Sequence, residues 1–331
     1  MPKEVRLGFV GAGGIAGFHL QNLKEVPEAK VVAFADPNLD AAKKRAQEVG
    51  LPVREGETVF ADWQTMLERV EMEGVLILSP HAYHFEQILA ALKRGLAVLC
   101  EKPMVITSEQ ARKVIAAAKE AGKPVVVSYQ RRFQSAFRFI REQVRKGVLG
   151  EITFVEATIA QDWQQLTSGT WRQVPELSGG GMLMDSGSHM VDFVLWAMPS
   201  PPTKVMAVMN RCGTPVDINA VVSLQFEGEA IGVLVAMGNF THFEERYTFV
   251  GTEGMMRLEQ GQVVWEQWGK ERKVVEATEM PLSSCPDCHF VDVVLGRAEN
   301  ESPPQDALKV VALTEAAYHA AATGQARTIV L

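Results

Sequence analysis

The sequence is poor in cysteine, has no excess of positive charge and contains no long apolar run. Its 331 residues include four cysteines, too few for a disulfide framework, so a reducing compartment fits. The 33 basic and 40 acidic residues give a net charge of −7, which argues against binding to a nucleic-acid backbone. No apolar stretch approaches the roughly 20 residues of a membrane span, and early glycines exclude a signal peptide. We therefore expect a cytoplasmic protein with no nucleic-acid or membrane partner.

The length favours two domains, because single hydrophobic cores stop growing at about 250–300 residues. Up to residue 126, unbroken apolar strands alternate with amphipathic helices, which predicts a parallel sheet covered on both faces. From residue 127 the pattern changes to a helix, a strand, a polar loop, a helix over Gly180–Trp196 and a series of alternating segments. This second pattern indicates an α+β domain over 127–331 with a mostly antiparallel sheet, and the fold class is α/β overall.

A glycine-rich turn follows the first strand and opens a helix, with the sequence Gly11-Ala12-Gly13-Gly14-Ile15-Ala16. This G-x-G-x-x-A pattern is typical of Rossmann dinucleotide-binding turns, in which the helix N-terminus receives the pyrophosphate charge. Asp36 ends the second strand, where a carboxylate can accept hydrogen bonds from ribose hydroxyls and repels a 2′-phosphate. The pattern predicts a cofactor site for NAD rather than NADP. The alternative is a bare strand–turn–helix unit in which Asp36 caps the next helix.

Two further strands are followed by polar residues at what should be the same edge of the sheet. Ser79 follows the fourth strand and His84 starts the next helix, so we expect both to border the cofactor, although His84 could instead be a packed or capping histidine. Glu101-Lys102-Pro103 follows the fifth strand, and ligands bind beyond the carboxyl ends of such strands. Lys102 is a candidate proton donor or alkoxide stabiliser near the nicotinamide, with Pro103 able to fix a cis bond. The alternative is a solvated Lys-Pro turn.

Asp185 and His189 are the candidate acid–base residues of the second half. At positions i and i+4 of the predicted helix they share one face, and Gly181 removes bulk one turn earlier, where a ligand could approach. His189 could accept a hydroxyl proton near neutral pH while Asp185 orients its ring or binds substrate. Two alternatives stay open, a buried structural Asp–His pair and a metal site. The sequence places no further metal ligands, so no metal is predicted.

Two weaker signals complete the pattern. Cys285-Pro286-Asp287-Cys288 resembles half a zinc site or a redox motif, but with no partner pair we expect a loop with two incidental cysteines. The Trp171-Arg172 pair lies in the polar loop. Its arginine could bind a phosphate or a substrate hydroxyl, or it could be a surface cation stacked on the tryptophan.

Taken together, these motifs resemble the glucose–fructose oxidoreductase/inositol dehydrogenase family, also called Gfo/Idh/MocA. The glycine loop, Glu101-Lys102-Pro103, Trp171-Arg172, the Gly179–Gly181 run and Asp185-x-x-x-His189 match its landmarks in order over nearly the whole chain. The resemblance implies a large open sheet in the second domain, a catalytic trio of Lys102, Asp185 and His189, and cofactor contacts from Gln130, Trp171 and Arg172. With these, the expected cofactor-binding set is Gly11, Gly13, Gly14, Ile15, Asp36, Ser79, His84, Glu101, Lys102, Gln130, Trp171 and Arg172.

The function that the resemblance implies is NAD-dependent hydride transfer to or from a sugar, polyol or cyclitol. The active site should form only where the two domains meet, because Lys102 and His189 lie in different domains. Two alternatives are a glycosidase that uses bound NAD transiently and a non-catalytic NAD-binding sensor, and the intact Lys–Asp–His set argues against the sensor. We also expect a homodimer or homotetramer joined through sheet faces, because one face of the second sheet needs cover.

Overall fold

A computed structural model describes residues 4–330, so the first three residues of the predicted N-terminal domain and the last residue of the C-terminal domain lie outside it. The described residues form two compact units. The first comprises the residues up to 105 together with 109–129 and 284–307. The second comprises 106–108, 130–283 and the residues from 308 onward. None of the helices in 4–330 combines the length and hydropathy that a bilayer crossing requires.

The first unit contains a six-stranded parallel sheet, as predicted. Its strands are β1 (Val5–Val10), β2 (Ala29–Ala35), β3 (Val59–Phe60), β4 (Gly74–Ile77), β5 (Ala97–Cys100) and β6 (Val125–Val127). The helices between them are α1 (Gly14–Leu23), α2 (Leu39–Glu48), α3 (Trp63–Arg69), α4 (His81–Lys93) and α5 (Ser108–Ala121). The strand order β3-β2-β1-β4-β5-β6 reverses between β1 and β4. In such sheets ligands bind at this switch point, beyond the carboxyl ends of the strands.

The second unit is built on a nine-stranded sheet of mostly antiparallel strands, which confirms the predicted fold class. Its strands are β7 (Ile152–Ala160), β8 (Pro202–Asn210), β9 (Asn219–Phe226), β10 (Ile231–Met237), β11 (Glu244–Gly251), β12 (Gly254–Glu259), β13 (Gln262–Gln267), β14 (Lys273–Val274) and β15 (Arg327–Thr328). They lie in the order β14-β13-β12-β11-β7-β10-β9-β8-β15, and only the central pair β7 and β10 runs parallel. The helices after residue 130 are α6 (Ser135–Arg145), α7 (Trp163–Leu166), α8 (Pro175–Ser178), α9 (Gly187–Ala197), α10 (Pro286–Val294) and α11 (Pro304–Thr323).

Aromatic side chains join α6 and α9 to one face of this sheet. The rings of Phe137 and Phe193 meet edge-on with centroids 4.7 Å apart, and Phe193 meets Tyr247 of β11 in the same way at 4.8 Å. Beside them Arg132 and Asp192, both almost fully buried, form an ion pair at 2.6 Å. A buried charge pair of this kind fixes the position of α9, because removing one partner would leave the other charge without compensation.

Residues 284–307 belong to the first unit, whereas the sequence analysis placed them in the second domain. The reason is the packing of α10, whose Phe290 and Val291 are buried in the same core as Leu7 and Phe9 of β1. Gly74 of β4 leaves room for this contact, since a Cβ there would lie 2.9 Å from the Phe290 ring. The chain therefore returns to the first sheet after building most of the second.

The prediction of a loop with two incidental cysteines at 285–288 is wrong. Cys285 is the N-cap of α10, Cys288 lies in its first turn, and the two form a disulfide. Proline at the first helical position favours a helix start, because its fixed backbone angle suits the helix and its missing N–H has no partner there to lose. The four-residue Cys-Pro-Asp-Cys segment therefore starts a helix and carries a covalent link.

The predicted helix Gly180–Trp196 begins only at Gly187, so Asp185 precedes α9 and does not share a helix face with His189. Asp217 binds the segment that precedes α9. Its carboxylate accepts hydrogen bonds from the amides of Gly181 (2.6 Å) and Leu183 (2.9 Å), and its carbonyl accepts one from Met182 (2.9 Å). Beyond them the backbone bonds are irregular, since the Gly187 amide bonds to the Met182 carbonyl five residues back, and the next two amides bond to carbonyls three residues back.

Candidate active site

The glycine loop after β1 has the geometry of a dinucleotide cradle. Gly11 has φ +97°, and a Cβ on it would lie 2.8 Å from the backbone carbon of Leu78, so a larger residue does not fit. A Cβ at Gly13 or Gly14 would meet nothing within 4 Å, so the backbone at the start of α1 faces open space. Open backbone at a helix N-terminus suits a pyrophosphate, so these residues fit the predicted cofactor.

The carboxylate of Asp36 is fixed at the end of β2. One of its oxygens accepts a hydrogen bond from the Ala12 amide at 2.8 Å, and the other accepts one from the Asn38 amide at 2.8 Å. The first bond joins the second strand to the glycine loop. Asn38, not Asp36, is the side chain that caps α2, so the capping alternative for Asp36 is wrong.

Arg45 of α2 also holds the glycine loop, although the sequence analysis did not select it. Its guanidinium donates to the carbonyl oxygens of Ala12 (3.3 Å) and Gly13 (2.8 Å) and forms an ion pair with Glu48 at 2.6 Å. The guanidinium is thus already engaged by backbone and carboxylate oxygens. The sequence shows Arg45 only as part of a basic helix face, so nothing in the pattern marks its contact with the loop.

His84 connects the loops that follow β4 and β5. It is fully buried, with Nε2 2.8 Å from the Ser79 carbonyl and Nδ1 3.0 Å from the Pro103 carbonyl. Burial lowers the pKa of this imidazole. The hydroxyl of Ser79 donates to Gln87 at 2.6 Å, and the Lys102–Pro103 peptide is cis, as the sequence suggested. His84 therefore positions the two loops that carry Ser79 and Lys102.

Glu101 belongs to a buried charge network that the sequence analysis did not predict. His19 of α1, fully buried, lies between Glu101 (Nε2 to Oε1, 3.1 Å) and Asp287 of α10 (Nδ1 to Oδ1, 2.8 Å). Burial alone would lower the pKa of His19, but the carboxylates of Asp287 and Glu101 raise it to about 10. Burial works against the charged form of Glu101 as well, yet its bond to His19 and the nearby Lys102 lower its pKa to about 2. His19 and Glu101 are therefore both charged at neutral pH, and the imidazolium donates hydrogen bonds to Glu101 and Asp287.

In the second unit, Asp185 is held by two side chains from the polar loop. One carboxylate oxygen accepts hydrogen bonds from the indole of Trp163 at 2.8 Å and from the guanidinium of Arg172 at 3.0 Å. Arg172 also lies over the ring of Trp171, 4.5 Å from its centroid. Asp185 and His189 are both buried, and His189 lies in the first turn of α9. Arg172 of the Trp171-Arg172 pair therefore fixes Asp185 together with Trp163.

The glycine run before Asp185 is explained by packing. A Cβ at Gly181 would overlap the carbonyl oxygen of Asp217, and one at Gly180 would overlap the hydroxyl of Tyr318. Tyr318 donates that hydroxyl to the Asp217 carboxylate at 2.6 Å. The space that the sequence analysis assigned to an approaching ligand at Gly181 is therefore occupied by the chain itself.

The predicted site residues fall into two sets, one in each unit. The first unit carries Gly11, Gly13, Gly14, Ile15, Asp36, Ser79, His84, Glu101 and Lys102; the second carries Gln130, Trp171, Arg172, Asp185 and His189. Gln130 opens a short 3-10 helix directly after the first unit's chain segment ends at residue 129. Within residues 4–330, no group of three or more His, Cys, Asp or Glu side chains is arranged to hold a metal ion.

The chain is similar to known oxidoreductases in both halves of its sequence. Residues 5–129 match the family model described as "Oxidoreductase family, NAD-binding Rossmann fold", and residues 137–257 match the "GFO/IDH/MocA C-terminal domain". The chain is 29% identical to D-glucoside 3-dehydrogenase of Escherichia coli, over 86% of this chain and 76% of that protein. It is 37% identical to inositol 2-dehydrogenase of Rubrobacter xylanophilus over 45% of this chain and 42% of that one.

A solved structure shares the fold over almost its full length. The inositol dehydrogenase homologue of Azotobacter vinelandii, crystallised with NAD+, superposes with a TM-score of 0.88 and 18% identity, over 99% of this chain and 98% of that one. The two family models together cover most of the sequence and include the glycine loop, Lys102, Asp185 and His189. The chain therefore belongs to the GFO/IDH/MocA family of oxidoreductases, and its enzyme class is that of the NAD(P)-dependent dehydrogenases.

Proposed function

We propose that this protein transfers a hydride between NAD and a hydroxyl or carbonyl group of a sugar, polyol or cyclitol. The observation that carries the proposal is the open glycine loop with the Asp36 carboxylate bonded to its Ala12 amide. A fixed carboxylate at this place accepts hydrogen bonds from ribose hydroxyls and repels a 2′-phosphate, which supports NAD over NADP. The names of the glucoside and inositol dehydrogenase relatives support the substrate class.

The proton chemistry is assigned to Lys102, Asp185 and His189. When bound, the nicotinamide supplies the hydride acceptor or donor. His189 takes the proton of the substrate hydroxyl, and Lys102 steadies the developing alkoxide or relays that proton; the two roles can be exchanged. Asp185 is a fixed negative charge, held by Trp163 and Arg172, that orients the histidine or binds substrate. Glu101 is held by His19, so we assign it the role of positioning Lys102, its neighbour in the chain.

The proposal extends to assembly and location. The exposed face of the second sheet carries Val208, Val221 and Ile231, with exposed fractions of 69%, 48% and 48%. Val208 pairs with Val221 across neighbouring strands, and Val221 pairs with Val235. This apolar row supports a homodimer or homotetramer joined through sheet faces.

A cytoplasmic location is part of the proposal and is supported by the four cysteines, too few for the disulfide framework of secreted proteins.

The test is NADH formation against a panel of sugars, polyols, cyclitols and glycosides, with NAD and NADP compared. We expect net NADH with at least one alcohol substrate, and no loss of activity after treatment with EDTA. Cleavage of a glycoside without net NADH would instead identify a glycosidase with transient use of NAD. Tight NAD binding with no turnover of any compound would identify a sensor. The comparisons favour neither alternative, because the named relatives are dehydrogenases.

A further inference from the structure

The disulfide at the start of α10 has the features of a reactive thiol pair. Cys285 is the N-cap of this nine-residue helix, and its sulfur accepts a hydrogen bond from the Cys288 amide at 3.0 Å. Both cysteines are half-buried and not part of the closed core. Cys-x-x-Cys pairs at helix N-termini favour the thiolate form, because the amides and dipole of the first turn stabilise negative charge.

A purely stabilising role explains this disulfide poorly. It joins residues three positions apart and therefore constrains far less of the unfolded chain than a bond that closes a long loop. The other two cysteines do not form a second such pair: Cys100 is buried in β5, and Cys212 is exposed in the second unit. The pair is thus distinguished by its place at a helix start.

The residue between the two cysteines links them to the buried charge network. Asp287 is fully buried and accepts hydrogen bonds from His19 (2.8 Å) and from Asn22 of α1 (2.7 Å). His19 in turn contacts Glu101, next to Lys102. The first turn of α10 therefore carries both the disulfide and the Asp287 carboxylate. That carboxylate binds α1, the helix that follows the glycine loop.

We propose that Cys285 and Cys288 form a reversible thiol–disulfide site whose redox state is transmitted through Asp287 to His19 and Glu101. The co-substrate is a dithiol. Opening the covalent link releases the first turn of α10, and the Asp287 backbone is part of that turn. A shift of Asp287 changes the hydrogen bond that fixes the His19 ring, and this alters the environment of Glu101.

Reduction of this disulfide takes two thiol–disulfide exchange steps. A thiolate of the dithiol attacks the sulfur of Cys288, forming a mixed disulfide and breaking the Cys285–Cys288 bond. Cys285 leaves as a thiolate that the Cys288 amide stabilises. The second thiol of the reductant, after losing its proton, attacks its partner sulfur in the mixed disulfide and releases Cys288 as a thiolate that takes up a proton. Two electrons pass from the dithiol to the protein disulfide, and the dithiol becomes a cyclic or intramolecular disulfide.

The first experiment counts thiols in the intact protein. The folded chain is equilibrated with mixtures of reduced and oxidised dithiothreitol, quenched in acid, denatured, alkylated and weighed by mass spectrometry. We expect two alkyl groups, on Cys100 and Cys212, at the oxidising end and four at the reducing end, with circular dichroism unchanged. The Cys288→Ser variant should carry three in every mixture. Four groups throughout, or two until the protein unfolds, would overturn the proposal.

The second experiment tests transmission to His19. In histidine-labelled protein, the His19 ring resonances, assigned with His19→Asn, should shift between the oxidised and reduced forms. The exposed His242 of the second unit should not shift. The shift should vanish in the Cys285→Ser/Cys288→Ser variant. A redox-active pair with unchanged His19 resonances would refute the transmission. Neither measurement uses turnover, so the outcome is independent of the proposed dehydrogenase function.

Discussion

Asp287 Oδ1 lies 2.8 Å from Nδ1 of His19, although the two residues are 268 positions apart in the chain. The contact joins α10 to α1, and the other ring nitrogen of His19 joins α1 to Glu101 at the end of β5. Because His19 carries a proton between two carboxylates, the helix of the glycine loop and the loop of Lys102 are held by the same buried charge. This arrangement makes the stability of the first unit depend on pH.

We predict that His19 stabilises the protein most strongly between about pH 4.5 and 6.5. The folded-state pKa of His19 is raised from 6.5 to about 10, so its contribution is complete below pH 6.5 and is lost as the pH rises toward 10. The pKa of Glu101 is lowered from 4.5 to about 2, so its contribution is complete above pH 4.5 and is lost as the pH falls toward 2. Breaking a buried ion pair costs about 3–5 kcal/mol.

The measurement is chemical unfolding of wild type and His19→Asn at several pH values. The difference in unfolding free energy should be largest near pH 6 and should shrink steadily toward pH 10. His242→Asn serves as the matched control, because that histidine is exposed and its loss should change stability little at any pH. A difference that stays constant from pH 6 to 10 would show that the His19 ring is not ionised in the folded protein.

Asp36 should determine the choice of cofactor. We expect wild-type kcat/KM to be higher with NAD than with NADP, and Asp36→Ser combined with Pro37→Arg to shift the ratio toward NADP by at least about tenfold, which is about 1.4 kcal/mol. Steady-state kinetics with both cofactors measures this ratio. Wild-type preference for NADP would contradict the role given to Asp36.

Asp36→Asn separates the charge of this residue from its structural bond. The amide oxygen can still accept the hydrogen bond from Ala12, so the glycine loop should keep its position, whereas the bond from the Asn38 amide to the other oxygen is lost. The discrimination against NADP should nevertheless weaken, because the repulsion of a 2′-phosphate needs the negative charge. If Asp36→Asn instead reduces kcat/KM equally for both cofactors, the residue acts by holding the loop.

Much of the fold could be predicted from the sequence because it depends on local periodicity and on glycines at fixed places. The parallel sheet and the G-x-G-x-x-A turn are of this kind, and Gly11 has the positive φ that the tight turn requires. The start of α9 could not be predicted, since the segment before it is held by Asp217, more than thirty residues away, through the amides of Gly181 and Leu183.

In the candidate site, too, contacts between residues far apart in the chain could not be predicted. Lys102, Asp185, His189 and Arg172 could be selected because each lies in a local motif, whereas Trp163, which also fixes Asp185, and His19, which fixes Glu101, could not. Trp163 is 22 positions from Asp185, and His19 is 82 positions from Glu101. Local spacing carries no information about such pairs. The disulfide of Cys285 and Cys288 was within local reach, since the motif resembles a redox pair as well as half a zinc site, but two incidental cysteines were expected instead.

The exposed sheet face should join copies of this chain. We predict that light scattering of the wild type gives a mass of at least twice 36.4 kDa at micromolar concentration. Val221→Glu places a charge in the apolar row of β8, β9 and β10 and should produce monomers. Val53→Glu, at an exposed apolar position of the first unit, should leave the mass unchanged. A wild-type mass of 36.4 kDa would exclude this assembly.

Lys102 and His189 should be needed for turnover and not for folding. General acid–base groups contribute about 10²–10⁴-fold, so Lys102→Ala and His189→Ala should each lower kcat by an amount in that range. NAD affinity should change little in His189→Ala. It should change modestly in Lys102→Ala, because Lys102 is predicted to lie beside the nicotinamide. The double variant should lose less than the product of the single losses, because groups that act on one proton are not additive. Asp185→Asn should be milder than His189→Ala if it only orients the ring.

Asp192→Asn provides the comparison that separates chemistry from stability. Asp192 lies on α9, close to His189 in the chain, and its buried ion pair with Arg132 supports the fold. Breaking that pair should lower the melting temperature and leave kcat per folded molecule near the wild-type value. His189→Ala should show the opposite pattern, with a small change in melting temperature and a large loss of kcat. If a folded His189→Ala protein turns over at nearly the wild-type rate, then His189 is a structural residue like Asp192, and the acid–base assignment is wrong.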